Sequence, residues 1–179
     1  YPTAFPGTER KVELSGEGYF EVTKNDRQPF KVVTGGQEVS VLGTAFNIQA
    51  YQGDPSETTT LVSGKVSIAY GPERLHAQPL HPHEQAVLTD SRLSVRPVNA
   101  SDIASWKDGV YVLHNSDLSQ LAAQLERWYD VQFDLDTNEP ISISLVLSRH
   151  AHLSEVLDAI SEHQNIQFKI EGRRVTVVK

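Results

Sequence analysis

Hydrophobic and polar residues alternate with a period of two in short runs along the first hundred residues. Val39 and Val41 alternate with polar neighbours, as do Phe46 and Ile48, which is typical of strands with one buried face. Of the 20 Gly and Pro residues, 17 lie before residue 100, and those between the runs predict chain reversals. The pattern predicts an all-β fold, either a sandwich or a rolled, solenoid-like stack of hairpins, with strands at 18–23, 30–34, 38–42, 45–51, 58–62, 65–70, 85–89 and 93–98.

The periodicity changes after residue 110. Leu118, Leu121 and Leu125 follow the spacing of an amphipathic helix, and Ser116 or Asp117 is the expected N-cap. Both helices of this half are expected on one side of a single small sheet, as an α+β pair of layers. The predicted order is βαββαββ, with the second helix around 153–160 and strands at 110–113, 131–135, 141–147, 166–170 and 175–178.

This change of pattern predicts two domains and a short connection between them. Residues 1–99 form the all-β domain, residues 100–109 the linker and residues 110–179 the α+β domain. The linker contains one bulky side chain, Trp106. We expect Trp106 to pack against a domain and so to hold the linker in place.

Charge and composition exclude several classes of function. The chain has 179 residues and a net charge of −7, and residues 100–179 hold 12 acidic against 7 basic side chains. A nucleic-acid surface needs clustered Lys and Arg, so a neutral or basic protein partner is favoured over DNA or RNA. No apolar run reaches the roughly 20 residues that cross a bilayer. Because the chain contains no Met, we expect a fragment of a longer protein.

One motif has the residue types of a metal site. His81 and His83 would share a face on a strand, and Glu84 adds a carboxylate. Pro82 disrupts strand pairing, however, and the sequence dictates no third histidine, so a polar turn is the favoured interpretation. The serines lack a Gly-x-Ser-x-Gly setting, and the glycines lack a phosphate-binding one. We therefore predict no catalytic residue, no cofactor, no metal site and no enzymatic activity.

Several segments form a specific set when they are taken together. The most diagnostic is Leu42-Gly43-Thr44-Ala45-Phe46-Asn47, and residues 16–22, 29–32, 61–66, 106–109, 118–121 and 125–129 accompany it. This set resembles the FecR family, whose members pass a cell-surface signal to an extracytoplasmic-function sigma factor. The last two segments are similar to the short N-terminal domain of secretins and TonB-dependent receptors. His83 stands where the family usually has glycine, and His114 stands where an aromatic core residue is usual.

The resemblance implies the periplasmic part of a single-pass inner-membrane anti-sigma factor. Its implied partner is the periplasmic signalling domain of a TonB-dependent outer-membrane receptor, while the sigma factor would bind only a cytoplasmic segment outside this chain. An extended partner segment can add to the edge of a sheet, and we take the strand at 141–147 as the candidate edge, although an interior strand is an equal alternative. The predicted partner-binding residues are Ile141, Ile143, Leu145, Val146 and Leu147.

Two other classes of function stay open at the level of sequence. A carbohydrate- or cell-surface-binding β-sandwich would be favoured by a cluster of exposed aromatic side chains in the first half. A metal-dependent, cupin-like enzyme would be favoured by stoichiometric metal bound through His81 and His83.

Overall fold

A computed structural model describes residues 5, 7–135, 142–164 and 166–178. The described residues are mostly β, with 49% strand and 22% helix, so the prediction of a β-rich protein is confirmed. It divides into two compact units, Tyr1–Ala104 and Ser105–Lys179. The division falls inside the segment 100–109 that the sequence predicts as a linker.

The described residues of the first unit form ten strands and one short α-helix. The strands are β1 (Arg10–Glu13), β2 (Gly16–Glu21), β3 (Phe30–Val33), β4 (Gln37–Val41), β5 (Ala45–Ala50), β6 (Glu57–Ser63), β7 (Val66–Tyr70), β8 (His76–Leu80), β9 (Glu84–Thr89) and β10 (Arg92–Pro97). Helix α1 (Ala100–Ala104) ends the unit, and a 3-10 turn, Pro72–Arg74, joins β7 to β8. All eight strands predicted from the alternation are present, with ends within two residues of the prediction.

These strands form two five-stranded sheets, ordered β1-β3-β4-β7-β8 and β10-β9-β6-β5-β2. Alternate residues of both sheets enter one core, which makes this unit a sandwich and not a solenoid-like stack. Phe46 and Ile48 on one sheet and Val39 and Ile68 on the other are completely buried. The ring of Phe46 stacks on that of Phe20 with centroids 5.1 Å apart.

Two strands of the sandwich have no clear signal in the sequence. Strand β1 has three charged residues and one buried residue, Val12, and it pairs parallel with β3. Strand β8 contains Pro79, which has no N–H to donate. Both strands lie at sheet edges, where period-two alternation is weak and proline is tolerated.

The second unit has the element order βαββαββ. After the 3-10 turn Ser105–Asp108 come β11 (Val110–Asp117), α2 (Leu118–Tyr129), β12 (Gln132–Asp134), β13 (Ser142–Ser148), α3 (Leu153–Gln164), β14 (Gln167–Glu171) and β15 (Arg174–Val178). Of the two predicted caps for α2, Asp117 is the one used, since its carboxylate accepts a bond of 2.8 Å from the Gln120 N–H. No helix among the described residues combines the length and apolarity that a bilayer crossing requires.

The single small sheet predicted for the second unit is wrong. Its described strands form two separate sheets, β11-β13 and β12-β15-β14. Helix α2 contacts β11 and β12, and α3 contacts β13 and β14, so each helix touches both sheets. Leu121, Leu125 and Ile160 are therefore fully buried in a core that both sheets share. Two sheets bury more of the apolar face of each helix than one sheet can, and this is the physical reason for the arrangement.

Candidate partner-binding surface

The strand that carries the predicted partner-binding residues, β13, forms a two-stranded antiparallel ribbon with β11. Tyr111 lies opposite Leu147, and Val112 lies opposite Val146. The ribbon begins with a backbone bond of 2.8 Å from the Arg149 N–H to the Gly109 carbonyl. Because hydrogen-bonded and non-hydrogen-bonded pairs alternate in antiparallel strands, this bond sets the direction of every backbone group in the first part of the ribbon.

One face of the ribbon belongs to the core of the second unit. Ile143 and Leu147 are buried among the residues of this core, and Leu145 packs partly buried against it. On β11, Leu113 is buried too. Tyr111 makes an edge-to-face contact with the indole of Trp128, at 5.1 Å between the ring centroids.

The other face of the ribbon meets solvent. Val146 is 67% exposed. Its cross-strand neighbour Val112 is half-buried, and so is Val110, which lies opposite the exposed Ser148. This face is therefore a small apolar and hydroxyl surface with valine at its centre.

The five predicted partner-binding residues thus do not share one surface. Ile141 lies outside the described residues. Ile143, Leu145 and Leu147 point inward, so a partner can reach them only through their backbone, while Val146 alone presents its side chain. The period of two that identified the strand also divides its side chains between the core and solvent.

The segment His81-Pro82-His83-Glu84 is a tight turn before β9. The Glu84 N–H donates to the His81 carbonyl at 3.1 Å, and the Glu84 carboxylate accepts from the His81 N–H at 2.8 Å. His83 has φ +67°, the conformation that a type II turn requires at its third residue and that glycine adopts without strain. No group of three His, Asp or Glu side chains in the described part of the chain is arranged to hold a metal ion.

The described residues also line two open clefts. One, of about 530 Å³, lies in the second unit beside β12 and is lined by Glu126, Val131, Gln132, Phe133, Asp134 and Arg174. The other, of about 360 Å³, lies among the hairpin loops at one end of the sandwich. Both clefts are open and mainly polar, whereas small-molecule pockets are usually enclosed and apolar.

Comparisons with known proteins assign the chain to a family. The model described as "FecR protein" matches residues 2–67, and the model described as "FecR, C-terminal" matches residues 110–177. The chain belongs to the FecR family. No curated protein sequence matches it.

Solved structures support the same assignment. Two crystal structures of a proposed anti-sigma factor from Parabacteroides distasonis ATCC 8503 superpose with TM-scores of 0.87 and 0.85. In each case the two proteins are 30% identical, and the alignment covers 100% of this chain and 84% of the other. Family membership and these neighbours together support an anti-sigma factor role.

The most diagnostic segment of this FecR-family protein forms a structural joint. A Cβ atom on Gly43 would lie 2.6 Å from the Cα of Lys24, and one on Gly64 would lie 2.7 Å from the Gly43 carbonyl oxygen. Between them, the Thr44 hydroxyl donates to the Lys65 carbonyl at 2.8 Å. Two loops can approach this closely only where side chains are absent. The segment therefore holds two loops of the sandwich together.

Sequence reasoning missed two side chains that form hydrogen bonds with the backbone of edge strands. The Ser105 hydroxyl donates to the Val110 carbonyl at 2.9 Å, and the Glu126 carboxylate accepts from the Phe133 N–H at 2.7 Å. Each occupies a backbone group of a sheet-edge strand. Neither residue has a sequence signal for this role, because Ser105 lies in the predicted linker and Glu126 is expected to be an exposed carboxylate on a helix.

Proposed function

We propose that this chain is the periplasmic signal-receiving region of a membrane-anchored anti-sigma factor. It binds the periplasmic signalling domain of a TonB-dependent outer-membrane transducer, and the sigma factor is bound by a cytoplasmic segment outside this chain, beyond a single inner-membrane helix. The observation that carries the proposal is the match of both halves to the FecR models, together with a neighbour at 30% identity over the whole chain.

In this proposal the protein works by reversible docking and not by catalysis. A relay needs a surface whose binding free energy depends on the state of the partner. The solvent face of the β11-β13 ribbon offers one, with Val146 exposed at its centre. The inward residues Ile143, Leu145 and Leu147 then support the strand, and the contact uses its backbone and the Val146 side chain.

The direct test is calorimetric titration of the chain with the purified signalling domain of the TonB-dependent transducer encoded beside its gene. We expect a 1:1 complex with a dissociation constant of about 1 μM, a range suited to reversible signalling. The signalling domain of a transducer from a different operon is the matched control and should bind at least about tenfold more weakly, since recognition is a difference of affinities. Absence of any complex with the cognate domain would refute the proposal.

A further inference from the structure

Edge strands expose unpaired N–H and C=O groups, and proteins usually protect them with charge, proline, a bulge or a covering group. The described strands form four sheets and therefore have eight edges: β1, β2, β8, β10, β11, β12, β13 and β14. Comparing these edges shows where a partner strand can add.

The four edges of the sandwich carry charge or proline. Strand β1 contains Arg10, Lys11 and Glu13, and β2 contains Glu17 and Glu21. On the opposite edges, β8 contains a proline as its fourth of five residues, and β10 contains two arginines and ends on a proline. An incoming strand would bury charges or find a missing donor at each of these edges.

Two edges of the second unit are protected by carboxylates. On β14, Lys169 and Glu171 form an exposed ion pair at 2.8 Å, and the Lys169 ammonium lowers the pKa of the Glu171 carboxyl by its hydrogen bond and its charge. On β12, the backbone N–H of Phe133 donates to the Glu126 carboxylate at 2.7 Å. A partner carbonyl would have to displace this carboxylate.

Strand β11 is protected in another way. The Ser105 hydroxyl caps the Val110 carbonyl at 2.9 Å. The strand is then interrupted by a register shift between Leu113 and Ser116, and a bulge of this kind bends the edge away from regular pairing.

Strand β13 is the exception. Its seven residues, Ser142–Ser148, include no charged residue and no proline. Because Leu145 and Leu147 bond to β11, the N–H and C=O of Val146 point away from the ribbon, toward the opposite edge. Within the described residues, no strand pairs with this edge, and no side chain caps the backbone of Val146.

We infer that a single extended segment of the partner adds to the β13 edge, centred on Val146, and extends the ribbon to three strands. The inference rests on the proposed function, because the segment belongs to the transducer's signalling domain. Main-chain bonds supply the affinity of such a complex, and the side-chain pattern supplies its specificity. An uncharged segment is favoured, since a charged side chain beside Val112 and Val146 would lose hydration without gaining an ion pair.

A second copy of this chain is disfavoured as the occupant. Residues 100–179 carry 12 acidic and 7 basic side chains, so pairing two β13 edges would bring two acidic units together. A neutral or basic partner has no such repulsion.

The test measures backbone hydrogen exchange in the complex of the full chain with the cognate signalling domain. We expect the Val146 amide to exchange at least about tenfold more slowly in the complex, with the Ile170 amide on the β14 edge unchanged, since added main-chain bonds protect only the edge that is used. Val146→Pro and Val146→Lys should each weaken binding by about tenfold or more. Ile170→Pro, the matched substitution on the other edge, should bind within about twofold of wild type. Thermal melts confirm that each variant is folded.

Each outcome decides a different claim. A complex that forms without protecting the Val146 amide, or that tolerates both Val146 substitutions, overturns the strand-addition inference and leaves the proposed function standing. Absence of a complex overturns both claims. A homodimer by light scattering that Val146→Pro abolishes also overturns the inference, because a second copy then occupies the edge.

Discussion

The sandwich of residues 1–104 and the α+β unit of residues 105–179 differ in how their sheet edges are protected against the addition of another strand. All four sandwich edges carry charge or proline, whereas the β13 edge of the second unit contains neither a charged residue nor a proline. The two units also have separate cores: in the first, the Phe20 ring contacts both Phe30 and Phe46, and in the second the buried residues of the cluster are all aliphatic. Under the proposed function, we therefore expect the second unit to contact the partner and the sandwich to serve as its scaffold.

The largest expected effect tests whether the two cores are energetically separate. Phe46→Ala removes a fully buried ring from the sandwich, which should cost about 4 kcal/mol of unfolding free energy. Both tryptophans, Trp106 and Trp128, lie in the second unit. The urea transition followed by far-UV circular dichroism should therefore gain an early phase, while the tryptophan fluorescence midpoint stays constant. Equal shifts of both probes would contradict the separation.

The next effect compares two faces of one strand. Ile143→Ala should cost about 3 kcal/mol, because the side chain is fully buried in the second core. Val146→Ala, three residues away on the solvent face, should change stability by no more than about 0.5 kcal/mol. Urea denaturation followed by tryptophan fluorescence measures both. A costly Val146→Ala would mean that this face is covered and would remove it as a docking surface.

A glycine in the sandwich joint gives an intermediate effect. Gly64→Ala places a Cβ 2.7 Å from the Gly43 carbonyl in a residue with φ +93°, which should cost about 2 kcal/mol. Gly53→Ala is the matched control, because φ is +92° and no atom lies within 4 Å of the added Cβ. The difference between the two midpoints isolates the close approach from the backbone strain. Equal costs would show that the joint has room for a side chain.

A smaller effect depends on pH. Hydrogen bonds from Ser119 and from the Gln120 N–H lower the pKa of the Asp117 carboxyl at the start of α2. Since the folded pKa lies below the unfolded value of about 3.9, the stabilisation is present above that value and is lost as pH falls through the folded pKa. Asp117→Ala should cost about 1 kcal/mol at pH 7. The difference from wild type in thermal melts should shrink as the pH is lowered below about 4. A pH-independent difference would exclude a charged cap.

The smallest expected effect is stabilising. His83→Gly relieves the strain of the positive φ in the turn before β9. Glycine also raises the conformational entropy of the unfolded chain, which offsets part of this gain, so the unfolding free energy should rise by about 0.5 kcal/mol. His83→Ala is the control and should give no gain. Destabilisation by His83→Gly in a thermal melt would mean that the imidazole makes a contact that matters.

The element pattern was largely predictable because it depends on local chemistry. Both helices and all eight alternating strands of the sandwich follow from the spacing of apolar residues and from the turns between them. Residue 114 is a position where local pattern does not predict burial. The family resemblance predicted a core position, but His114 is exposed. The register shift after Leu113 interrupts the alternation of β11, and no local pattern signals a bulge.

The sequence by itself determined the division into two units, the type of nearly every element and the FecR-family assignment, since periodicity, turn residues and motifs are properties of neighbouring residues. Tertiary structure decided which strands share a sheet, that the described strands of the second unit form two sheets instead of one, and that β13 lies at an edge of these sheets. It also brought Ser105 and Glu126 onto the backbones of β11 and β12. These outcomes depend on backbone pairing between segments far apart in the chain, and uncovered N–H and C=O groups leave no mark in the residue alternation.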